Sequence, residues 1–420
     1  MRLHPADPGA AQLRKAVRGP LEGLADRIAG DPSPPSLDEL GLDDLIASAP
    51  VLGALDRMGR HREVERVLRG YGRHQGWGGG FEADSSGPGA TGAAVWSLVD
   101  HGRITEDLDY LDGVYRRIRR ALRWLERTRT PDGTDPHTGL MPADGTDGEP
   151  EDHGVPMKRY RATFWAMAGA QEAARAGAVL HRRRIQRDGE ILFHELRRAL
   201  RRSLEGLAAT DRELPLLAPT GKGDGEGLLT DILLSVVCGE TFPPDYEPLV
   251  RTLEGVVGSG DHPLSRSAMA AHQLLRRGDP RVWDLVDTLD PGDGGLTVVE
   301  AGLLFWLLRS LHVSDQRAIL LLAPGHALRP LPDGNEVVVE AAPSIHGRVS
   351  YRLWRDGERL HMEWSGLERH APENFIWPLP GRVYRVEPPN ISLTDSRMAI
   401  RLDPAGGRLD VELVPDSSPG

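Results

Sequence analysis

Read for its apolar positions, the chain repeats one device. Stretches of roughly ten to twenty residues, with apolar side chains every three or four positions, alternate with glycine- or proline-rich breaks, the period of helices that bury one face. The first thirty residues carry one such pattern, which the prolines of "GDPSPPS" end. Ser36 and Glu39 then stand at the spacing of a capping box, and Leu42, Leu45, Ile46, Ala49, Leu52 and Leu55 fall on one helical face. Pro50 is expected to kink or split that helix, because it has no N–H and its ring crowds the preceding turn. "HREVERVLRGYGRHQ" supplies the next helix, a glycine-rich connection runs from Gly76 to Gly89, and "ATGAAVWSLVDHG" begins another. From Leu111 to Leu125 one apolar stripe is backed by arginines, and a partner helix is expected from near Lys158. The alternation continues to "GLTVVEAGLLFWLLRSL", which is apolar nearly all round. Such a helix is covered on every side, as in the inner ring of a two-layer helical barrel. No fixed repeat length is visible, which favours helix pairs closing into a toroid over an open solenoid.

Near Pro324 the period changes from that of a helix to that of a strand. Val349, Tyr351 and Leu353 alternate with polar residues, as do Leu360, Met362 and Trp364 beyond Asp356-Gly357, a hairpin signature. "SRMAIRLDPAGGRLDVELV" repeats the device with a longer turn and reads as a second hairpin. The expected organisation is mainly α: an N-terminal helix and proline-rich linker over 1–35, an α/α toroid over 36–325, and an antiparallel, sandwich-like β module over 326–416.

Bulk properties narrow the chemistry. The 420 residues carry a formal net charge of -11, which argues against a nucleic-acid partner, since such a protein needs a positive field. The arginines of "RRIRRALRWLERTR" sit opposite leucines at helical spacing and read as a solvated face. The single cysteine, Cys238, lies in an apolar run, no H-E-x-x-H occurs, and "GKGDGEG" is not a phosphate loop. Neither a metal nor a cofactor is expected. No window reads as membrane-spanning and the first residues lack a signal-peptide core, so a cytoplasmic protein is expected; its oligomeric state is not legible.

The segment "GATGAAVWSLVDHGRITEDLDYLDGVYRRIRRALRWLERTRTPDGTDPHTGLMPA", followed by "RYRATFWAMAGAQEAARAG", resembles the six-hairpin glycosidases, the (α/α)6 toroids related to glucoamylase-like hydrolases. The likeness lies in the helix, the Gly-Leu-hydrophobic-Pro loop and the aromatic-Trp-Ala helix after it. "DLIASAPVLGALDRMGRHREVERVLRGYGRHQGWGGGF" is similar to the family's preceding helix pair, and "VVVEAAPSIHGRVSYRL" to the start of its β module. The resemblance implies hydrolysis of a glycosidic bond in a carbohydrate or glycoside, with one carboxylic acid protonating the leaving oxygen. A second carboxylate activates water from the other face. By that resemblance the general acid falls in the acidic loop before "RYRATFWAMAG". Glu151 is the best-placed candidate, with Asp152 and Glu149 beside it, where like charges help to hold a proton. Glu300 is the candidate for the second carboxylate. Asp44, Trp77, Phe81, Asp84 and Trp165 are candidates for sugar binding, the aromatics as platforms for sugar rings.

The same residues have plainer readings. Acidic loop residues also solvate a loop, Thr297 and Glu300 have capping-box spacing, and a tryptophan often plugs a core. The chain also departs from the family pattern in three places. Asp43 precedes Asp44 where the family has an arginine, "SSGPGATG" replaces an aromatic-Asp pair before Trp96, and Val299-Glu300 stands in place of Gln-His. An alternative class therefore stays open: a toroid that keeps the cleft and binds a glycan or a partner protein without cleavage. Terpene cyclases and prenyltransferases fit less well, because the Gln-Trp motif occurs once and D-x-D-D is absent. Lanthionine cyclases need a zinc site that one cysteine does not supply.

Overall fold

The computed structural model describes residues 8–30, 33, 35–42, 44–81, 87–129, 138–142, 155–210, 250, 254, 264–290, 295–316, 319–367, 371–388, 393 and 398–414. It is a helical body followed by a largely antiparallel sheet module. The described helices are α1 (Pro8–Gly30), α2 (Leu45–Arg57), α3 (His61–Gly70), α4 (Pro88–Ile104), α5 (Leu108–Thr128), α6 (Val155–Val179), α7 (Arg183–Thr210), α8 (Leu264–Arg277), α9 (Val282–Thr288), α10 (Val298–Ser310) and the short α11 (Pro324–Leu328). None of them is long and apolar enough to cross a membrane.

Two kinds of helix follow from two kinds of sequence. α5 buries only the stripe Leu111, Val114, Ile118, Ala121, Leu122 and Leu125, so its arginine face stays outside. α4, rich in glycine, alanine and valine, is buried almost throughout, as are α2 and α10. α2 packs against both α4 and α10, α4 packs against α6, and α10 packs against α8. Pro50 does not split α2, which runs unbroken from Leu45 to Arg57. The Pro50 carbonyl still has a partner, the indole N–H of Trp306 at 2.9 Å. α4 and α6 come very close at Gly92 and Gly169. A Cβ on Gly92 would overlap the Trp165 carbonyl, and one on Gly169 would lie 2.7 Å from the Gly92 carbonyl oxygen.

Cross-helix contacts fix direction. Trp306 meets Pro50, Arg57 meets Asp100 at 2.6 Å, and Arg103 meets Glu172 at 3.1 Å. Asp44 also faces Arg161 at 3.5 Å near the starts of α2 and α6, and Gly302 lies against Val51 where Trp306 lies against Gly53, so α2, α4, α6 and α10 run parallel with their N-termini at one end.

The sheet module begins earlier than the sequence suggested. β1 (Val313–Gln316) and β2 (Ile319–Leu322) precede Pro324, and the two apolar cores divide between Leu311 and Val313. The boundary expected at 325 is corrected accordingly. The short apolar run "AILLL" does not by itself reveal the period of a strand. α1 is likewise no separate segment: Leu13, Val17, Leu21, Leu24 and Ile28 enter the same core as α10.

The remaining strands are β3 (Glu336–Ser344), β4 (Gly347–Asp356), β5 (Arg359–Gly366), β6 (Asn374–Pro378), β7 (Val383–Glu387), β8 (Ala399–Arg401) and β9 (Gly407–Leu413). They form sheets of order β1-β2-β6-β8 and β3-β4-β5-β9-β7, whose apolar residues share one core. All pairs are antiparallel except β2 with β6. The hairpin at Gly357 forms in the expected register, with Tyr351 opposite Trp364 and Leu353 opposite Met362. The second expected hairpin does not. β8 pairs with β6, while β9 joins β5 and β7 in the other sheet.

Candidate functional site

Of the expected residues, Asp44, Phe81 and Glu300 lie toward the N-terminal end of the parallel helices. Asp44 is the N-cap of α2: its Oδ1 accepts from Ala47 N at 2.6 Å. Its Oδ2 faces Arg161 of α6, 3.5 Å from Nη2, and both side chains are about one-fifth exposed, at 21% and 23%. The cation that the sequence lacks at position 43 thus comes from 117 residues away. A part-exposed carboxylate and guanidinium can together accept from and donate to neighbouring hydroxyls.

The backbone around this end is pinned to the helices. Phe81 N donates to Thr91 Oγ1 at 3.0 Å on α4, and Met141 N donates to Thr163 Oγ1 at 3.0 Å on α6. Residues 138–142 and the segment ending at Phe81 therefore lie at the same end. Ser48 and Tyr71 hydroxyls share a 2.7 Å hydrogen bond, and burial pushes the Tyr71 phenol up. At this same end the backbone N–H groups of four helix starts give a partial positive potential.

The expected residues take different places here. Glu300 is in the first turn of α10, half-buried, and closes a capping box: Thr297 N and Oγ1 both donate to its Oε2, at 2.9 and 2.8 Å. Phe81 is fully buried, edge-on to Tyr71 with centroids 6.5 Å apart. Trp165 is also fully buried. In this structure neither ring shows a face to solvent, because each fills the space between helices. Trp77 is the opposite, 101% exposed. Its loop is braced on the outer helix α5, with Arg120 donating to the carbonyls of Gly76 and Trp77 at 2.9 and 3.1 Å. Glu149, Glu151, Asp152 and Asp84 lie outside the described residues.

Below this end, three tryptophans cross the middle of the helical body. Trp96 packs edge-on to Trp165 at 6.4 Å and against Trp306 at 6.2 Å. Gly53 makes this possible, since a Cβ there would lie 2.8 Å from the Trp306 ring. Among the described residues the Trp165 indole N–H has no acceptor.

Beneath that layer, at the C-terminal ends, lies a buried ion network that the sequence did not reveal. Arg57 stacks on Trp306 at 4.0 Å and binds both Asp100 oxygens, at 2.6 and 3.0 Å. Arg309 binds Asp315 at 2.8 Å and donates to the carbonyls of Val313 and Pro343. Burial works against the Arg57 charge, but Asp100 and Asp315 overcome it and raise its pKa above the usual range. Burial alone would raise the Asp315 pKa, yet Arg309 and Arg57 bring it down to about 2. Among the described residues no cluster of three His, Cys, Asp or Glu is arranged to hold a metal ion.

No family model and no curated protein sequence matches the chain. Among solved structures it is similar to the Streptomyces avermitilis α-L-rhamnosidase complexed with L-rhamnose, with TM-score 0.55 and 16% identity over 98% of this chain and 42% of that one. It is also similar to the α-L-rhamnosidase from Dictyoglumus thermophilum, with TM-score 0.57 and 11% identity over 87% and 45%. The Aspergillus terreus α-L-rhamnosidase gives TM-score 0.53 and 12% identity over 98% and 49%. The likeness establishes a shared fold with glycoside hydrolases. The chain spans less than half the length of each of these proteins.

Proposed function

We propose that the protein is a glycoside hydrolase-like toroid that takes a sugar at the N-terminal mouth of its inner helices and cleaves a glycosidic bond there with inversion. The observation that carries this reading is the part-exposed Asp44–Arg161 pair at the level of the parallel helix starts, in a fold shared with α-L-rhamnosidases. In this proposal α2, α4, α6, α8 and α10 belong to the inner ring of an (α/α)6 toroid that ends near Leu311. Glu151 is the general acid, with Asp152 and Glu149 as neighbours that favour its protonated form. Glu300 activates water from the opposite wall, at the separation of about 6.5–9.5 Å that an inverting pair needs. Asp44 and Arg161 hold sugar hydroxyls, Asp84 is a further candidate for sugar binding, Phe81 and Trp165 back the mouth from within the core, and Trp77 meets a more distant part of the ligand. No cofactor enters the reaction, and the protein works in the cytoplasm.

The test is a panel of aryl glycosides, led by an α-L-rhamnoside, with wild type and Glu151→Gln. The amide keeps size and hydrogen bonding but has no transferable proton, so hydrolysis should fall by roughly 10²–10⁴-fold while sugar binding persists. Substrates with a good leaving group should suffer less. Unchanged turnover in Glu151→Gln would remove that residue from the mechanism. A second reading, a toroid that binds a glycan or a protein without cleavage, is favoured by the engagement of Glu300 Oε2 in a capping box. It is the reading that stands if a sugar binds, Asp44→Asn abolishes binding, and no glycoside is turned over.

A further inference from the structure

At the far end of the same helices, about 20 Å from Asp44 by the length of α2, a cavity of about 440 Å³ opens between α3, the α4–α5 turn and the β3–β4 turn of the sheet module. Its floor is built around one carboxylate. Asp56, almost wholly buried, accepts from His61 Nδ1 at 3.0 Å and from His101 Nδ1 at 3.0 Å. Both rings line the cavity and Asp56 does not, so the imidazoles stand between the carboxylate and the open space. Each spends its Nδ1–H on Asp56 and keeps Nε2 for a ligand.

The walls are charged in an uneven way. Of the acids, Glu65 is bound by Arg69 at 2.6 Å and Asp107 caps α5 through Tyr110 N at 2.8 Å. Arg62 and Arg348 also line the cavity; both are exposed, and among the described residues neither has an ion-pair partner. Glu106 is the remaining carboxylate on the wall. It is held at φ 56, and Leu367, which also lines the cavity, at φ 69. Backbone in that region costs about 1–3 kcal/mol for a non-glycine residue and persists where surrounding structure imposes it, often around ligand sites. Two unsatisfied guanidiniums, two oriented imidazoles and one acceptor carboxylate suit a small molecule that carries both an anionic group and hydroxyls.

We propose that this cavity is a second ligand site, separate from the sugar-cleaving mouth, for a monosaccharide-sized polyol bearing a phosphate or a carboxylate. Arg62 and Arg348 take the anionic group, His61 and His101 bond it or a neighbouring hydroxyl through Nε2, and Glu106 accepts from the hydroxyls. The site joins the two modules, because α3 and α4 supply one wall and the β3–β4 turn the other.

Calorimetric titration of the full chain with glucose 6-phosphate, D-glucuronate and glucose tests this. One of the two anionic sugars should saturate one site with Kd of about 1 mM or below, and glucose should not; which anion binds tells phosphate from carboxylate. Arg62→Ala/Arg348→Ala should weaken binding by roughly tenfold or more, with an unchanged thermal transition because both side chains are exposed. Arg62→Lys/Arg348→Lys should retain part of it. Asp44→Asn, at the other end of α2, should bind the anion like wild type. Absence of saturation by either anionic sugar overturns the proposal, and so does unchanged affinity in the double alanine variant.

Discussion

The central helices α2, α4, α6 and α10 begin in one environment and end in another. Their N-termini are finished by short-range bonds: Asp44 to Ala47 N, Thr297 to Glu300, Thr91 and Thr163 to the chain segments beside them. Their C-termini carry Arg57, His101, Arg103, Arg175 and Arg309, cations at the negative pole of each helix, bound to Asp56, Asp100, Glu172 and Asp315 and roofed by the sheet module. The denser charge is at the end that meets the sheet module. Arg309 links the last helix to the carbonyls of Val313 and Pro343, and Asp315 Oδ2 accepts from Ile345 N. The strongly perturbed groups Arg57, Arg309 and Asp315 therefore join the two modules, and the proposed cleavage site stands at the other, lightly furnished end. Perturbation alone does not locate a reaction.

The largest test of this contrast removes one buried ion. Asp315→Ala leaves Arg309 and Arg57 short of a partner inside the junction, and urea denaturation should show a loss of about 3–5 kcal/mol. Asp44→Ala, at the other end, should lose only about 1 kcal/mol, the worth of a helix cap. Equal losses would erase the distinction between the two ends.

Gly92→Ala should cost about 1–3 kcal/mol, since its methyl group would overlap the Trp165 carbonyl and force α4 and α6 apart. Thermal melting checks it, and a neutral result would mean that the α4–α6 spacing is adjustable.

Acid should act first at the junction. Burial holds His272 down at about 3 and His326 down at about 4, from 6.5. These groups stay neutral in the folded protein and take up protons on unfolding, so stability falls as pH drops below 6.5, through 4 for His326 and 3 for His272. Each should contribute a slope of about 1.4 kcal/mol per pH unit within its window. His272→Gln should remove one such contribution from the dependence of unfolding free energy on pH; an unchanged slope would show that His272 is not the group titrating.

The smallest expected effect is Thr297→Ala, about 1 kcal/mol through the lost cap on α10. It sharpens the reading of Glu300. If Glu300→Gln leaves stability within that range but lowers hydrolysis by roughly 10²-fold or more, the carboxylate has a chemical role beyond its cap.

Much of the local structure was legible because it depends on neighbours in sequence. The capping box at Thr297/Glu300 forms as its spacing predicts, the stripe of α5 is buried as its period predicts, and the β4–β5 register follows from its turn; Ser36 and Glu39 exchange the expected bonds, but around the single turn Asp38–Leu40, and the helix expected there starts only after Asp44. The candidate site was legible only in part. Asp44 was singled out by sequence, but its contact with Arg161 was not, because nothing along a separation of 117 residues signals that the two will meet. Phe81 and Trp165 carry the composition of a sugar platform and the burial of a core plug, and composition does not distinguish the two.

By itself, the sequence determined where helices and strands form and which faces they bury, since a period of 3.6 or 2 and a capping side chain act over a few residues. Only the tertiary structure decided partners. β8 and β9 share an alternating pattern yet enter different sheets, because alternation says that a strand has two faces and not which edge it will meet. In the same way Arg57, Asp100 and Asp315 are ordinary charges in the sequence, and become a buried network because parallel packing brings the ends of α2 and α4 to the first strand of the sheet module. Long-range electrostatics of that kind exists only after the helices have been assembled.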